Sequence, residues 1–340
     1  MRKSFVLPGI ILALLFSSIS LSVAEEEKVR IGYFPNITHA QAVIGIADGT
    51  FQKALGEGVK IEVKIFNAGP SVIEAMFAGA LDLAYIGPNP AINGYIKSNG
   101  EALRIVAGAA SGGAALVVRA DAGIGKIDDF HNKKIASPQL GNTQDVALRA
   151  WLKNQGFVLK ERGGDVEVLA IANPDQLTLF MKKEIDAAWT VEPWVSRLIK
   201  EGQGKVFLEE SSLWPKGEFI TAHIIASKKF LDKHPDLVKR WISAHVDLTA
   251  WINGNLTQAK GILNEEIKKL TGQALARDIL DAAFARLRLT YDPVKDSLFT
   301  SAKWAFEQGF LGKENPDLSG IYDLKILNQV LKEKNLPPVN

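Results

Sequence analysis

Short apolar runs with a period of two alternate with longer runs of helical period along most of the chain, and this alternation limits the fold more than any other feature. "VKIEVKIF" (59–66) sets Val59, Ile61, Val63 and Ile65 against Lys60, Glu62 and Lys64. Such spacing puts one class of side chain on each face of a strand. "VRIGYF" (29–34) does the same through Val29, Ile31 and Tyr33. Further strand-like runs are "LDLAYIG", "LRIVAGA", "AALVVR", "KKIAS", "VEVLAI", "AAWTV", "KVFLE" and "FITAHIIA". Helical spacing occupies 40–47, 72–80, 144–154, 174–183 and 193–201. Strand–helix alternation predicts an α/β protein with parallel sheets covered by helices on both faces. After Phe230 the pattern turns wholly helical. "HPDLVKRWISAHVDLTAWING" reads as one long helix with Pro235 in its first turn and Gly254 at its end. Three more helices follow, through "QALARDILDAAFARL", "SLFTSAKWAFEQGFL" and "KILNQVLKEKN".

The first 24 residues stand apart. Arg2 and Lys3 precede an apolar run from Phe5 to Leu21, and Ser22 and Ala24 offer small residues before "EEEK". This pattern is that of a signal peptide (residues 1–24) with a mature chain from near Glu25; a membrane anchor is the alternative. The net charge is +2, and losing Arg2 and Lys3 brings the mature chain to near neutrality. A neutral chain lacks the basic face that nucleic acid requires. There is no cysteine, which excludes disulfides, thiolate chemistry and a lipidated cysteine at the cleavage point.

Three strand-to-helix turns carry polar residues with proline or glycine. The first follows "VRIGYF" and holds Phe34, Asn36, Thr38 and His39. The second, "NAGPSVIEAM", places Ser71 and Glu74 at capping-box spacing. The third, "SPQLGNTQDVAL", holds Gly141, Asn142 and Thr143, either of the last two suited to cap a helix. Each start is explained by capping alone. Together, after strands of an open sheet, they mark the usual ligand crevice, where free N–H groups and the helix dipole favour an anion. None of these loops contains Arg or Lys, so a small oxyanion there is held by neutral donors. "YIGPNPAINGY" (85–95) reads as a rim loop stiffened by Pro88 and Pro90, with Asn89 offering a donor and an acceptor. "DAAWTVEPWVSRL" brings Trp189 and Glu192 to another turn. There Glu192 serves the helix dipole, or else Trp189 or Trp194 walls a ligand and Glu192 meets an amine or an inter-lobe partner. Ser111 and Gly112 precede a strand, where glycine permits close backbone approach or a plain turn. The five histidines lie at 39, 131, 223, 234 and 245 without zinc spacing, and no G-x-S-x-G or Walker A sequence occurs. No catalytic residue, metal or cofactor is expected.

Taken together, "RIGYFPNITHAQAVIGIADGTF", "FNAGPSVIEAMFAGALDLAYIGPNPAINGY", "SGGAALVVR", "ASPQLGNTQDVALRAWL" and "DAAWTVEPWVSRL" resemble the periplasmic solute-binding proteins of ABC importers for aliphatic sulfonates, taurine and nitrate. The resemblance spans essentially the whole mature chain. It implies a two-lobed type II periplasmic-binding-protein fold with two crossover strands and a helical C-terminal extension. Lobe one is then 28–115 with 220–340, and lobe two 119–215, with "AALVVR" and "FITAHIIA" as the crossings. It also implies a monomeric, non-enzymatic receptor outside the cytoplasm. Such a receptor takes a small-molecule anion in the cleft, with an aliphatic sulfonate as the first expectation, and delivers it to a permease. Nitrate, taurine or a thiamine precursor is the alternative ligand. Carried onto this sequence, the family's binding loops are Phe34, Asn36, Thr38 and His39, the turn at Ser71, Asn89, Gly141 to Thr143, and Trp189 with Glu192; Ser111 and Gly112 fall on the hinge side. An enzyme making the thiamine pyrimidine shares the scaffold, but it carries a cysteine-rich cluster and works inside the cell, and both traits oppose it here.

Overall fold

The computed structural model describes residues 27–340, so the signal-peptide reading of residues 1–24 lies outside the described residues. Eleven strands are present among them: β1 (Glu27–Tyr33), β2 (Val59–Ile65), β3 (Leu83–Ile86), β4 (Leu103–Gly112), β5 (Ala114–Arg119), β6 (Lys134–Ser137), β7 (Glu167–Ala170), β8 (Ala187–Val191), β9 (Gly204–Glu209), β10 (Ile220–Ser227) and β11 (Leu287–Leu289). They form a six-stranded sheet in the order β11-β4-β10-β3-β1-β2 and a five-stranded sheet in the order β7-β6-β8-β5-β9. The α-helices are α1 (Ala40–Ala47), α2 (Thr50–Leu55), α3 (Gly69–Phe77), α4 (Pro88–Lys97), α5 (Thr143–Asn154), α6 (Asn173–Met181), α7 (Trp194–Lys200), α8 (Lys228–Lys233), α9 (Pro235–Gly254), α10 (Leu256–Thr271), α11 (Arg277–Arg286), α12 (Lys295–Glu307) and α13 (Lys325–Glu333). The result is the two-lobed α/β type II fold, one sheet to each lobe.

The sheets are mixed rather than wholly parallel. β1 runs parallel to β2 and β3, and β6 to β7 and β8. β10 lies antiparallel between β3 and β4, and β5 antiparallel between β8 and β9. β5 and β10 are strands that have just entered their lobe from the other one, and β11 adds a third antiparallel pairing, with β4 at the sheet edge. A period of two reports burial and says nothing of direction, so the sequence pattern carried no warning of them.

The crossings also differ from expectation. "AALVVR" is β5 in its entirety and "FITAHIIA" is essentially β10, so each is a core strand of one lobe. The chain passes between lobes at Gly112–Gly113 and again through 210–219. Both glycines have positive φ, +81° and +78°. A Cβ on Gly112 would stand 2.8 Å from the Arg286 carbonyl oxygen. Gly113 donates to that oxygen (2.9 Å) and accepts from the Glu192 N–H (2.9 Å). The close approach expected at this diglycine is therefore real, and it is to backbone.

The lobe-one core lies between its sheet and the C-terminal helices. α9 spans the expected residues, and its Trp241 stacks on Phe51 of α2 with ring centroids 3.8 Å apart. The lobe-two core gathers Phe130, Trp151, Trp189 and Phe207. Gly112→Ala tests the first crossing. The left-handed conformation and the carbonyl contact together are expected to cost about 1–3 kcal/mol, read as a lower urea midpoint; an unchanged midpoint contradicts this geometry.

Candidate functional site

The carboxyl ends of the parallel strands of both sheets point into one inter-lobe cleft, where ligands of open α/β sheets bind. Each strand delivers its residues through the turn that follows it. β1 supplies Phe34, Asn36, Thr38 and His39; β2 supplies Asn67 and Gly69; β3 supplies Gly87 and Pro90. From lobe two, β6 supplies Pro138, Asn142, Thr143 and Gln144, β7 supplies Asn173, and β8 contributes Val191; Thr221 of β10 completes the lining. The cavity between these residues is tight, about 20 Å³. No Asp, Glu, Lys or Arg lines it.

The N-terminal turns of α3, α4, α5 and α6 all meet this cleft. α5 is the best capped, since Asn142 Oδ1 accepts from the Gln144 N–H at 2.8 Å. Its turn is pinned from behind by Asp145, which is fully buried. That carboxylate accepts from Ser137 Oγ (2.7 Å), the Gly141 N–H (2.9 Å) and Arg149 Nε (3.0 Å). Thr143 Oγ1 is buried without a hydrogen-bond partner and lies against Gly87 of the opposite lobe. His39 accepts the Phe34 N–H at Nδ1 (3.0 Å), with the two rings 4.4 Å apart. Burial lowers its pKa to about 3, so the ring is neutral at physiological pH. Asn36 Oδ1 accepts from Trp194 Nε1 at 3.2 Å, a hydrogen bond that spans the lobes. Outside the cleft lies a wider vestibule that shares Phe34, Asn36, Asn67 and Asn173 with it and adds Ile65, Phe66, Leu177, Trp194, Arg197 and Leu270. Arg197 lies over the Trp194 ring at 4.8 Å and is paired with Glu201.

The expected site residues divide. Phe34, Asn36, Thr38, His39, Asn142 and Thr143 come together in the lining. Ser71 does not. Its helix starts two residues earlier, because Gly69 and Pro70 take the first two positions and Ala68 the N-cap, so no capping box forms. Asn89 sits in the first turn of α4, since "GPNP" opens a helix there rather than a rim loop. Its Nδ2 donates to the Ser301 carbonyl of α12 (3.2 Å), away from the lining. Gly141 supports the α5 turn from a positive φ of 72° without lining the cleft. Ser111 and Gly112 lie at the hinge. Trp189 is core, fully buried, with Nε1 donating to Glu210 (2.7 Å); the aromatic wall of the vestibule is Trp194. Glu192 meets an inter-lobe partner. Fully buried, it accepts from Ser196 N (3.1 Å) and Oγ (2.9 Å) and from Arg286 of lobe one (3.3 Å). Gly87 and Pro90, at the two ends of the expected rim segment, do line the cleft, whereas Asn67, Gly69, Gln144, Asn173 and Thr221 were not foreseen. "ANPDQ" at Asn173 carries the same polar, proline-bearing turn signal as the three turns that were.

The arrangement is that of a two-lobed binding protein, with its cleft between the lobes. The comparisons agree. The profile of the NMT1-like family matches residues 22–264, and the chain belongs to that family. A Brucella abortus (strain 2308) protein described no further than as a binding protein is 29% identical over 322 residues, 87% of this chain and 95% of that one. The taurine-binding periplasmic protein of Escherichia coli K12 is 24% identical over 233 residues, 68% and 69% of the two chains. Among solved structures, the alkanesulfonate-binding protein of Xanthomonas axonopodis pv. citri bound to MOPS superposes with a TM-score of 0.72 at 18% identity, covering 85% of this chain and 96% of that one.

Two outcomes follow from this geometry. Asn89→Ala removes a buried bond between α4 and α12 and is expected to lower stability by about 1–3 kcal/mol while leaving ligand affinity unchanged; melting and calorimetry on one preparation separate these effects. Glu210 is fully buried between the indoles of Trp189 and Trp214, and burial raises its pKa from 4.5 to about 7. The folded state then holds a proton that the unfolded state has lost, so stability falls as pH rises from 4.5 to about 7. The Glu210→Gln variant keeps an acceptor for the indoles. Its stability relative to the native chain is expected to rise across that window, checked by urea midpoints at several pH values.

Proposed function

We propose that the chain is the extracytoplasmic substrate-binding component of an ABC importer, which captures a small organic anion, an aliphatic sulfonate, between its lobes and passes it to a membrane permease. The observation that carries this reading is the cleft. Helix N-termini from both lobes border it, polar side chains line it, and no charged side chain intrudes. An oxyanion bound there is held by neutral donors and helix dipoles. The organic part extends into the vestibule against Phe34 and Trp194, with Arg197 as its one cationic side chain. The family, and the taurine- and alkanesulfonate-binding relatives, support the same class of solute. Taurine itself fits less well, because neither cleft nor vestibule offers a carboxylate to its ammonium group. Binding without turnover, as a monomer, belongs to this reading.

Calorimetry of the purified protein against ethanesulfonate, taurine, nitrate and sulfate tests it. Ethanesulfonate is expected to bind with a Kd of about 1 μM or tighter. Thr143→Val, which deletes an unpartnered buried hydroxyl in the lining, is expected to weaken that binding about tenfold. Absence of heat with every anion rejects the ligand class.

A further inference from the structure

The hydrogen-bonding polarity of the cleft is set before any ligand arrives. Nine of its lining side chains are amphoteric, able to offer either a donor or an acceptor. In four of them the accepting atom already takes a hydrogen bond from within the protein. Asn36 Oδ1 takes the Trp194 indole N–H (3.2 Å), Asn142 Oδ1 the Gln144 backbone N–H (2.8 Å) and His39 Nδ1 the Phe34 backbone N–H (3.0 Å). Those three partners have no acceptor to offer in return, so the orientation of each amide and the tautomer of the imidazole are chemically forced. Asn173 Oδ1 takes the Thr190 hydroxyl (2.9 Å). What remains toward the cleft is Asn36 Nδ2, Asn142 Nδ2, Asn173 Nδ2 and His39 Nε2–H. Among the described residues none of these nitrogens has a hydrogen-bond partner, and none is sealed from solvent. Asn36 and His39 come from lobe one, and Asn142 and Asn173 from lobe two. The Thr38 and Thr143 hydroxyls and the Asn67 and Gln144 amides can turn either way. Thr221, whose proton goes to the Gly112 carbonyl, is the single lining side chain with a committed acceptor, and no carboxylate is present.

We propose that this cleft selects by hydrogen-bond polarity: three fixed donors, two from lobe one and one from lobe two, with the Asn173 amide beside them, accept a head group made only of acceptors and reject an isosteric head group that carries its own O–H or N–H. The proposal rests on the receptor reading and deepens it. A sulfonate presents three oxygens and no proton. A phosphonate monoanion has nearly the same shape and the same charge, but its O–H meets N–H groups and leaves donors unpaired on both sides. Such mismatches cost far more than a missing contact, because buried polar groups are left without partners.

The test uses the full chain, with ethanesulfonate and its isostere ethylphosphonate titrated by calorimetry below and above the second ionisation of the phosphonate. Ethanesulfonate is expected to bind equally at both pH values. Ethylphosphonate is expected to bind about a hundredfold more weakly as the monoanion and to recover part of that loss once its O–H is gone. Equal affinity of the two monoanions overturns the proposal. Asn173→Asp exchanges one donor for an acceptor and is expected to shift the sulfonate-to-phosphonate ratio toward the phosphonate monoanion; an unchanged ratio overturns it. Independently of any ligand, long-range ¹H–¹⁵N spectra are expected to show His39 protonated at Nε2 alone between about pH 5 and pH 8, and a proton on Nδ1 overturns the assignment. If every anion fails while a neutral N–H donor such as ethylurea binds, the donor assignment falls and the receptor reading stands. If nothing in the panel binds, both fall.

Discussion

Gly113 is bonded to both lobes at once: its N–H goes to Arg286 of lobe one and its carbonyl takes the Glu192 N–H of lobe two. The rest of the molecule is arranged around that residue. Because Gly112 and Gly113 both occupy the left-handed region, β4 can end in one sheet and β5 begin in the other without an intervening loop. Arg286 reinforces the junction with its side chain, which reaches Glu192, Ser196 and Glu209 across the lobe boundary. β11 then pairs with the end of β4, so the C-terminal extension laces the hinge rather than merely covering lobe one. Short, bonded crossings leave the lobes few ways to move relative to each other except by rotation about this line, the geometry of hinge closure.

Charge is kept out of the cleft and used behind it. Asp145 with Arg149 fixes the α5 turn from buried positions, and buried Glu192 with half-buried Arg286 fixes the hinge. A buried ion pair gives little net stability, because desolvation offsets the attraction. What these pairs supply is position: each holds a backbone turn whose N–H groups or side chains then face the solute. Burial raises the pKa of Glu192 to about 7, against the opposing pull of its hydrogen bonds from Ser196 and the charge of Arg286. With the charges spent on support, the cleft itself is left to neutral donors.

Much of the fold was legible in the sequence. The alternating pattern of Val59 to Ile65 yields β2, the caps at Pro235 and Gly254 bound α9, and "GNT" opens α5 with Asn142 as its cap. These features are local, set by side-chain period or by which residue tolerates a helix terminus. The same local reasoning failed at Ser71, where a capping-box spacing lost to Gly69 and Pro70, and at "GPNP", where prolines that stiffen loops also suit a helix start. Trp189 and Trp194 are five residues apart in one motif, yet one is core and the other walls the vestibule. Which is which depends on the face of β8 and the pitch of α7, neither of which composition reports.

The sequence by itself determined an α/β chain of two linked units, the polar turns that end its strands, and the absence of cationic side chains from those turns. Only the tertiary structure decided which turns meet. Asn67 and Asn173 lie far apart in the chain and face one space, while Asn89, in the most conspicuous turn of all, is spent holding α4 to α12. It also decided that Asn36, Asn142 and His39 show donors to the cleft, and that Asn173 pairs with the Thr190 hydroxyl. Asparagine and neutral histidine each carry a donor and an acceptor, and which end remains available depends on the partner that takes the other: an indole, two backbone amides and a hydroxyl, two of them distant in sequence.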